Sequence, residues 1–204
     1  MIHAEGNALR LIRIDRPDKA NALTPDMLQA LCEAVEGAQD ARALVLTGTG
    51  KVFSAGADLD AAKAGMARTP LWERLSGAIA RHAGLTICAL NGTVAGGAMG
   101  MALACDLRIA APGAKLFYPV MKLGYLPQQS DPARLAALVG PARAKMILMA
   151  GQKIPSDEAL TWGLIDRIVE GDVVEAARDL ATDVLAADPG HAAAIKALIH
   201  RRPV

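Results

Sequence analysis

Aromatic residues are scarce in this sequence: two Trp, two Tyr and two Phe occur among 204 residues. Proteins that bind single-stranded nucleic acid stack bases on aromatic rings, so this composition argues against that class. An excess of one charge is lacking too, because 22 Lys and Arg residues balance 21 Asp and Glu residues. The formal net charge is +1 and no basic block stands out, so we expect no nucleic-acid partner.

Long apolar runs are missing as well. Gly, Asp or Arg interrupts each apolar stretch well before the roughly 18 residues that a membrane-spanning helix needs, so we expect no membrane partner. The N-terminal segment has no charged region followed by an apolar one, so no signal peptide is predicted and we expect a cytoplasmic protein. The three cysteines, Cys32, Cys88 and Cys105, lie far apart in apolar contexts, which is typical of buried free thiols. CxxC and HExxH motifs are absent, and no metal site is predicted.

Segments typical of strands alternate with segments typical of helices. Ala8 to Asp15, Arg42 to Gly48 and Leu85 to Gly92 are rich in aliphatic residues, and the last two are continuous runs of the kind buried on both faces of a sheet. Thr24 followed by Pro25 predicts a helix start, because a hydroxyl caps the helix and proline fits its first turn. This alternation, without a long linker, predicts an α/β or spiral ββα fold with one main domain.

Two glycine-containing turns, at residues 55–58 and 96–98, each follow a predicted strand and precede a predicted helix. Backbone N–H groups are free at the start of a helix, so two such turns on neighbouring strands could direct two N–H groups at one oxygen. That arrangement is an oxyanion hole, which polarises a carbonyl and stabilises an enolate. The alternative is that both are ordinary turns. The sequence has no GxGxxG, GxxxxGK[ST] or GxSxG motif, so dinucleotide, nucleoside-triphosphate and nucleophile-elbow sites are not predicted.

Four segments in order resemble the crotonase family, the enoyl-CoA hydratase/isomerase group: RPDKANALT, VLTGTGKVFSAGADL, NGTVAGGAMGMALACDLRIAA and MAGQKIPSDEALTWGLIDRIV. The resemblance implies a crotonase-type α/β spiral of ββα units at residues 1–170 and a shortened helical C-terminal region at 171–204. It also implies a homotrimer or a dimer of trimers. The implied function is binding of an acyl-CoA thioester in fatty acid metabolism by a lyase or isomerase, with no cofactor apart from the coenzyme A of the substrate.

The family's motifs assign roles to particular positions. By resemblance, the backbone N–H groups of Ala57 and Gly97 form the oxyanion hole for the thioester carbonyl. The same resemblance implies a coenzyme A site made mostly of backbone atoms, at two segments. The residues implied there are Lys19, Ala20, Asn21, Ala55, Asp58, Leu59 and Asp60.

Two positions depart from the hydratase pattern. The hydratases of the family that this sequence resembles carry a catalytic glutamate at each of two positions. This sequence has Gly100 and Val120 there. Glycine and valine cannot activate a water molecule or deliver a proton, so ordinary hydration is not predicted. The alternatives are another crotonase chemistry, such as decarboxylation or thioester hydrolysis, and a non-catalytic acyl-CoA-binding or scaffold protein.

The segment LFYPVMKLGYLPQQSDP supplies other polar side chains near the expected acyl pocket. Tyr118 and Tyr125 are weak acids, and we expect both to line the pocket and bind substrate. Asp131 has two interpretations. Either Ser130 or Asp131 caps the following helix, or Asp131 is a displaced catalytic acid/base.

Three further groups are expected to be structural or exposed. His82 lies on the apolar face of its predicted helix, which favours a partly buried structural histidine over a base. Glu73 and Arg74 are expected to face solvent on that helix. Asp106 resembles the family's structural aspartate.

Overall fold

Strands and helices alternate along residues 1–200, the part of the chain that the computed structural model describes. The last four residues of the predicted C-terminal region, 201–204, lie outside the described residues. The strands are β1 (Ile2–Glu5), β2 (Leu9–Ile14), β3 (Ala43–Gly48), β4 (Val52–Ser54), β5 (Leu85–Leu90), β6 (Thr93–Ala95), β7 (Leu107–Ala110), β8 (Lys115–Phe117), β9 (Ile154–Pro155) and β10 (Arg167–Ile168). The helices are α1 (Pro25–Glu36), α2 (Leu59–Lys63), α3 (Leu71–Arg81), α4 (Ala98–Ala104), α5 (Val120–Leu123), α6 (Asp131–Leu148), α7 (Ser156–Trp162), α8 (Val173–Leu180), α9 (Thr182–Ala186) and α10 (Pro189–His200).

The strands form two sheets that the chain visits in turn. The larger sheet has the order β1-β2-β3-β5-β7-β10, and the smaller has the order β4-β6-β8-β9. All neighbours are parallel except β1 with β2 and β8 with β9. Three consecutive pairs, β3–β4, β5–β6 and β7–β8, each contribute one strand to each sheet before a helix, as in the predicted spiral of ββα units. β1 and β2 differ, because both lie in the larger sheet.

Both faces of the larger sheet are covered. Leu44 and Leu46 of β3 face the main core with α1, α3 and α4, whereas Ala43 and Val45 pack in a second cluster with α8. Because alternate side chains point to opposite faces, a strand between two layers must be apolar throughout. This explains the continuous apolar run that predicts β3.

The helix boundaries follow local chemistry. The Thr24 side chain accepts a hydrogen bond from Met27 N at the start of α1, as predicted. Gly140 has φ +81 inside α6 and divides it into two helical parts. The strands β1, β4, β6 and β9 are not predicted from the sequence, because each has four residues or fewer and little apolar periodicity. Among the helices of residues 1–200, none has the length and apolar character needed to cross a membrane.

Candidate active site

The two glycine turns lie against each other. They follow β4 and β6, which are parallel neighbours in the smaller sheet. Gly56 has φ +87, and a Cβ there would lie 2.8 Å from the Ala95 carbonyl oxygen and 3.3 Å from Gly97 N. Glycine at position 56 is therefore required both by backbone conformation and by the close approach of the second turn.

The N–H groups of Ala57 and Gly97 belong to the two turns. Leu23 N donates to Gly56 O and Asp58 N donates to Leu23 O, both at 2.8 Å. In such a parallel bridge the N–H of the residue between, Ala57, points away from the partner strand. Within residues 1–200 neither Ala57 N nor Gly97 N donates a hydrogen bond. Two free donors on touching turns are the elements of an oxyanion hole.

Trp72 covers the second turn. A Cβ on Gly97 would lie 2.9 Å from two carbons of the Trp72 ring, so glycine leaves the space that the indole fills. The ring is 3% exposed, and its Nε1 donates to Met66 O at 3.0 Å. The indole therefore joins the segment that follows α2 to the start of α4. This contact could not be predicted from the sequence, because Trp72 and Gly97 belong to different helical units.

Asp131 places a carboxyl group beside α4. Its side chain is fully buried, and a Cβ on Gly100 would lie 2.9 and 3.0 Å from its two oxygens. Gly100 follows Gly97 by three residues, so the two positions share one face of α4, about 4.5 Å apart along the helix axis. The missing side chain at Gly100 is thus the space that the Asp131 carboxyl occupies.

The surroundings of Asp131 raise its proton affinity. Tyr118 Oη donates to Oδ2 at 3.0 Å, whereas Oδ1 is buried and forms no hydrogen bond within the described residues. Burial raises the pKa of Asp131 to about 6, against the opposing effects of the Tyr118 hydrogen bond and the Arg134 charge. Burial, followed by the Asp131 charge, raises the pKa of Tyr118 as well. Asp131 is therefore a weaker acid than an exposed aspartate and gains a proton at a higher pH.

The expected helix cap is wrong. Neither Ser130 nor Asp131 caps α6 with its side chain. Instead, the Glu73 carboxylate accepts from Ser130 N at 2.7 Å and from Ser130 Oγ at 2.8 Å. Glu73 was expected to face solvent, and this expectation is wrong. Arg74 does lie at the surface, where it forms an ion pair with Glu36 at 2.6 Å.

A cavity of about 360 Å³ lies next to this site. Ala67 and Arg68 line one side, and residues 124–128, including Tyr125, line the other. Gln128 joins the two sides, since its Nε2 donates to Ala67 O at 3.1 Å and its N donates to Tyr118 Oη at 3.4 Å. Tyr125 thus lines a cavity, whereas Tyr118 is 3% exposed and faces Asp131.

The segments predicted to hold coenzyme A lie beside the first turn. Ala55 N donates to Ala20 O at 3.0 Å, which joins residues 19–21 to residues 55–57. The Asn21 side chain is buried and bonds to Arg16 N, Thr49 O and Val52 O, so it fixes the backbone.

The other residues of this predicted set have exposed or structural side chains. Lys19, Leu59 and Asp60 are exposed. Asp58 pairs with Arg16 at 2.8 Å, and this hydrogen bond lowers its pKa. Contact of these residues with a substrate stays a prediction.

His82 and Asp106 have structural surroundings. His82 is 1% exposed; its Nδ1 accepts from Gly84 N at 3.1 Å, so Nε2 carries the proton and donates to Ala38 O. Asp106 accepts from Thr86 N and Thr86 Oγ1 and pairs with Lys196 at 2.7 Å. Neither group lies with the two turns, in agreement with the sequence prediction.

Known proteins have sequences similar to most of this chain. Residues 4–203 match the enoyl-CoA hydratase/isomerase family. Carnitinyl-CoA dehydratase of Salmonella enteritidis is 37% identical over 199 residues, which cover 91% of this chain and 74% of that protein.

Solved structures agree in fold. DspI of Pseudomonas aeruginosa has a TM-score of 0.88 and 34% identity, with 97% of this chain and 85% of that one covered. An enoyl-CoA hydratase of Bacillus anthracis has a TM-score of 0.89 and 28% identity, with 97% and 81% covered. With a match along nearly its whole length and the touching glycine turns in place, this chain belongs to the enoyl-CoA hydratase/isomerase, or crotonase, family.

Proposed function

We propose that this protein binds an acyl-CoA thioester and moves a proton at the carbon next to its carbonyl. The thioester oxygen accepts hydrogen bonds from Ala57 N and Gly97 N, and Asp131 is the acid/base. The observation that carries this proposal is the position of the Asp131 carboxyl over Gly100, one helical turn from Gly97. A carboxyl group there lies close to a carbonyl bound at the two N–H groups.

The proposed step needs no other reactant. The Asp131 carboxylate takes the α-proton, the C–H electron pair forms the C=C bond of an enolate, and the negative charge moves to the thioester oxygen. Two N–H donors stabilise that charge. Asp131 then returns the proton to the same carbon or to another carbon of the enolate, and the second choice isomerises the substrate. A carboxyl with a pKa of about 6 suits this work near neutral pH.

Hydration is a poorer fit to the same site. Water addition needs a group that activates the water and a group that delivers the proton. Val120 is buried and has no titratable atom, and the Glu73 carboxylate already accepts two hydrogen bonds from Ser130. One carboxyl therefore favours enolisation and isomerisation over hydration.

A second candidate is non-catalytic binding of an acyl-CoA thioester. The complete burial of Asp131 and its hydrogen bond from Tyr118 favour this alternative, because the same contacts would also suit a structural carboxyl. The two candidates differ in one measurable property, which is exchange of the α-proton.

The test is deuterium incorporation into acyl-CoA thioesters incubated with the protein in D2O. A panel of saturated, 2-enoyl, 3-enoyl, 3-hydroxyacyl and malonyl-type thioesters is followed by mass spectrometry. We expect α-deuteration of the saturated and 3-enoyl thioesters, and at least a hundredfold loss in Asp131→Asn, on the scale typical of general acid–base catalysis. Binding without exchange would favour the second candidate. Fast hydration of the 2-enoyl thioester would contradict the single-carboxyl mechanism.

The assembly, the location and the metabolic role stay proposals as well. We propose a homotrimer or a dimer of trimers acting in fatty acid metabolism in the cytoplasm. Exposed apolar side chains on α10, Ile195, Leu198 and Ile199, support an assembly that covers them.

A further inference from the structure

Glu73 links two helices that build the site. It lies on α3, and its two carboxylate oxygens accept from Ser130 N and Ser130 Oγ at 2.7 and 2.8 Å. The residues are 57 positions apart in sequence, so this contact belongs to the tertiary fold. A carboxylate that accepts one hydrogen bond on each of its two oxygens holds the donor groups both in position and in orientation.

The fixed residue directly precedes Asp131. Ser130 is the first flanking residue of α6, and its O accepts from Arg134 N at 3.2 Å. Glu73 thus binds the residue that directly precedes α6 and holds the backbone from which the Asp131 side chain extends over Gly100. The next residue of α3 toward the N-terminus is Trp72, whose ring lies on Gly97. One helix therefore contacts both the oxyanion turn and the carboxyl-bearing turn.

We infer that Glu73 is a positioning residue, which acts through Ser130 to hold the Asp131 carboxyl against α4 at the distance that proton transfer requires. This inference rests on the proposed function for its catalytic consequence. Small displacements of a reacting group lower rates strongly, and about 1 Å can cost on the order of a hundredfold.

The charge of Glu73 adds to its geometric role. The groups that act on the Asp131 carboxyl are Tyr118 from the β8 side, Arg134 from its own helix and Glu73 from α3, while α4 presents Gly100. Burial is the main cause of the raised pKa, and the Glu73 charge acts in the same direction. Removal of that charge should make Asp131 lose its proton at lower pH.

The experiment compares Glu73→Gln and Glu73→Ala with the control Glu36→Gln. Glu36 also contacts α3, through Arg74, but lies on the surface away from the site. In the α-deuteration assay we expect kcat to fall roughly tenfold for Glu73→Gln and more for Glu73→Ala, with KM unchanged within about twofold. The acidic limb of the pH–rate profile should move to lower pH in Glu73→Gln and stay in place in the control.

A titration without substrate separates this inference from the proposed function. Carboxyl 13C NMR of selectively labelled aspartate, assigned with Asp131→Asn, gives the Asp131 midpoint in the wild type and in Glu73→Gln. A lower midpoint in Glu73→Gln supports the coupling even if no thioester is deuterated, in which case the proposed function alone fails. Unchanged midpoint and unchanged kcat in Glu73→Gln would overturn the inference. Because glutamine retains one acceptor oxygen and the size of the side chain, this variant should fold where Glu73→Ala does not.

Discussion

At the residue scale, Gly100 and Asp131 are complementary, because the Asp131 carboxyl fills the space that a side chain at position 100 would need. The Asp131 oxygens lie where a Cβ of residue 100 would have to be, at 2.9 and 3.0 Å. Such distances are shorter than real Cβ atoms tolerate, so a larger residue at 100 would displace the carboxyl. The sequence shows both residues of this pair. Gly100 stands where the similar hydratases carry a glutamate, and Asp131 lies near the expected pocket. Their contact could not be predicted, because the path of the loop before α6 depends on Glu73.

Asp131→Asn is predicted to make the folded protein more stable near neutral pH. Burial holds the pKa of Asp131 at about 6, above its ordinary 3.8. A raised folded-state pKa means that the wild type has its full stability below about pH 4 and loses part of it as the pH rises through 6. The difference corresponds to on the order of 3 kcal/mol, which asparagine avoids because it does not ionise. Urea unfolding of both proteins at pH 4 and pH 7.5 measures the effect; a stability difference independent of pH would contradict it.

At the element scale, strands and helix starts followed from local patterns, whereas the connections between them did not. The apolar run of β3 and the Thr24 cap of α1 are properties of short segments. The start of α6 is different, since Ser130 is held by Glu73, which belongs to a helix far back in the sequence. The two glycine turns and the family are therefore predictable from the sequence. The contact of Glu73 with Ser130 and that of the Trp72 indole with Gly97 are not, because each joins residues far apart in the chain.

The turn at the start of α4 gives a prediction with a matched control. Gly97 has φ −58, which suits proline, so Gly97→Pro removes the N–H with the helix start retained. A Cβ at this position contacts Trp72 in any variant, and Gly97→Ala has that Cβ but keeps the N–H. We expect α-deuteration to fall about a further hundredfold from Gly97→Ala to Gly97→Pro, as when one oxyanion donor is lost. Equal rates in the two variants would show that the Gly97 N–H does not hold the thioester oxygen.

At the scale of the whole molecule, the C-terminal helix is joined to the sheet by one side chain. Lys196 of α10 donates to His82 O, Gly84 O and Asp106 Oδ2 at 2.8, 2.9 and 2.7 Å. Gly84 and Asp106 directly precede β5 and β7, so Lys196 joins the starts of two adjacent strands to a helix about a hundred residues later. Contacts of such sequence separation form only once the rest of the fold is in place.

Lys196→Met is therefore predicted to destabilise the protein and to release α10 first. The variant keeps an unbranched side chain but loses three hydrogen bonds, one of which is the ion pair with Asp106, whose side chain is 20% exposed. We expect a loss of about 1–3 kcal/mol in the free energy of unfolding. Amide exchange should rise in residues 189–200 before it rises in the sheet. The control is Lys63→Met, which removes the exposed pair with Asp60 at 3.8 Å and should change stability by less than about 0.5 kcal/mol. Equal effects of the two variants in urea unfolding would show that Lys196 contributes no more than a surface charge. A loss confined to Lys196→Met would show that this partly buried cation stabilises the C-terminal helix.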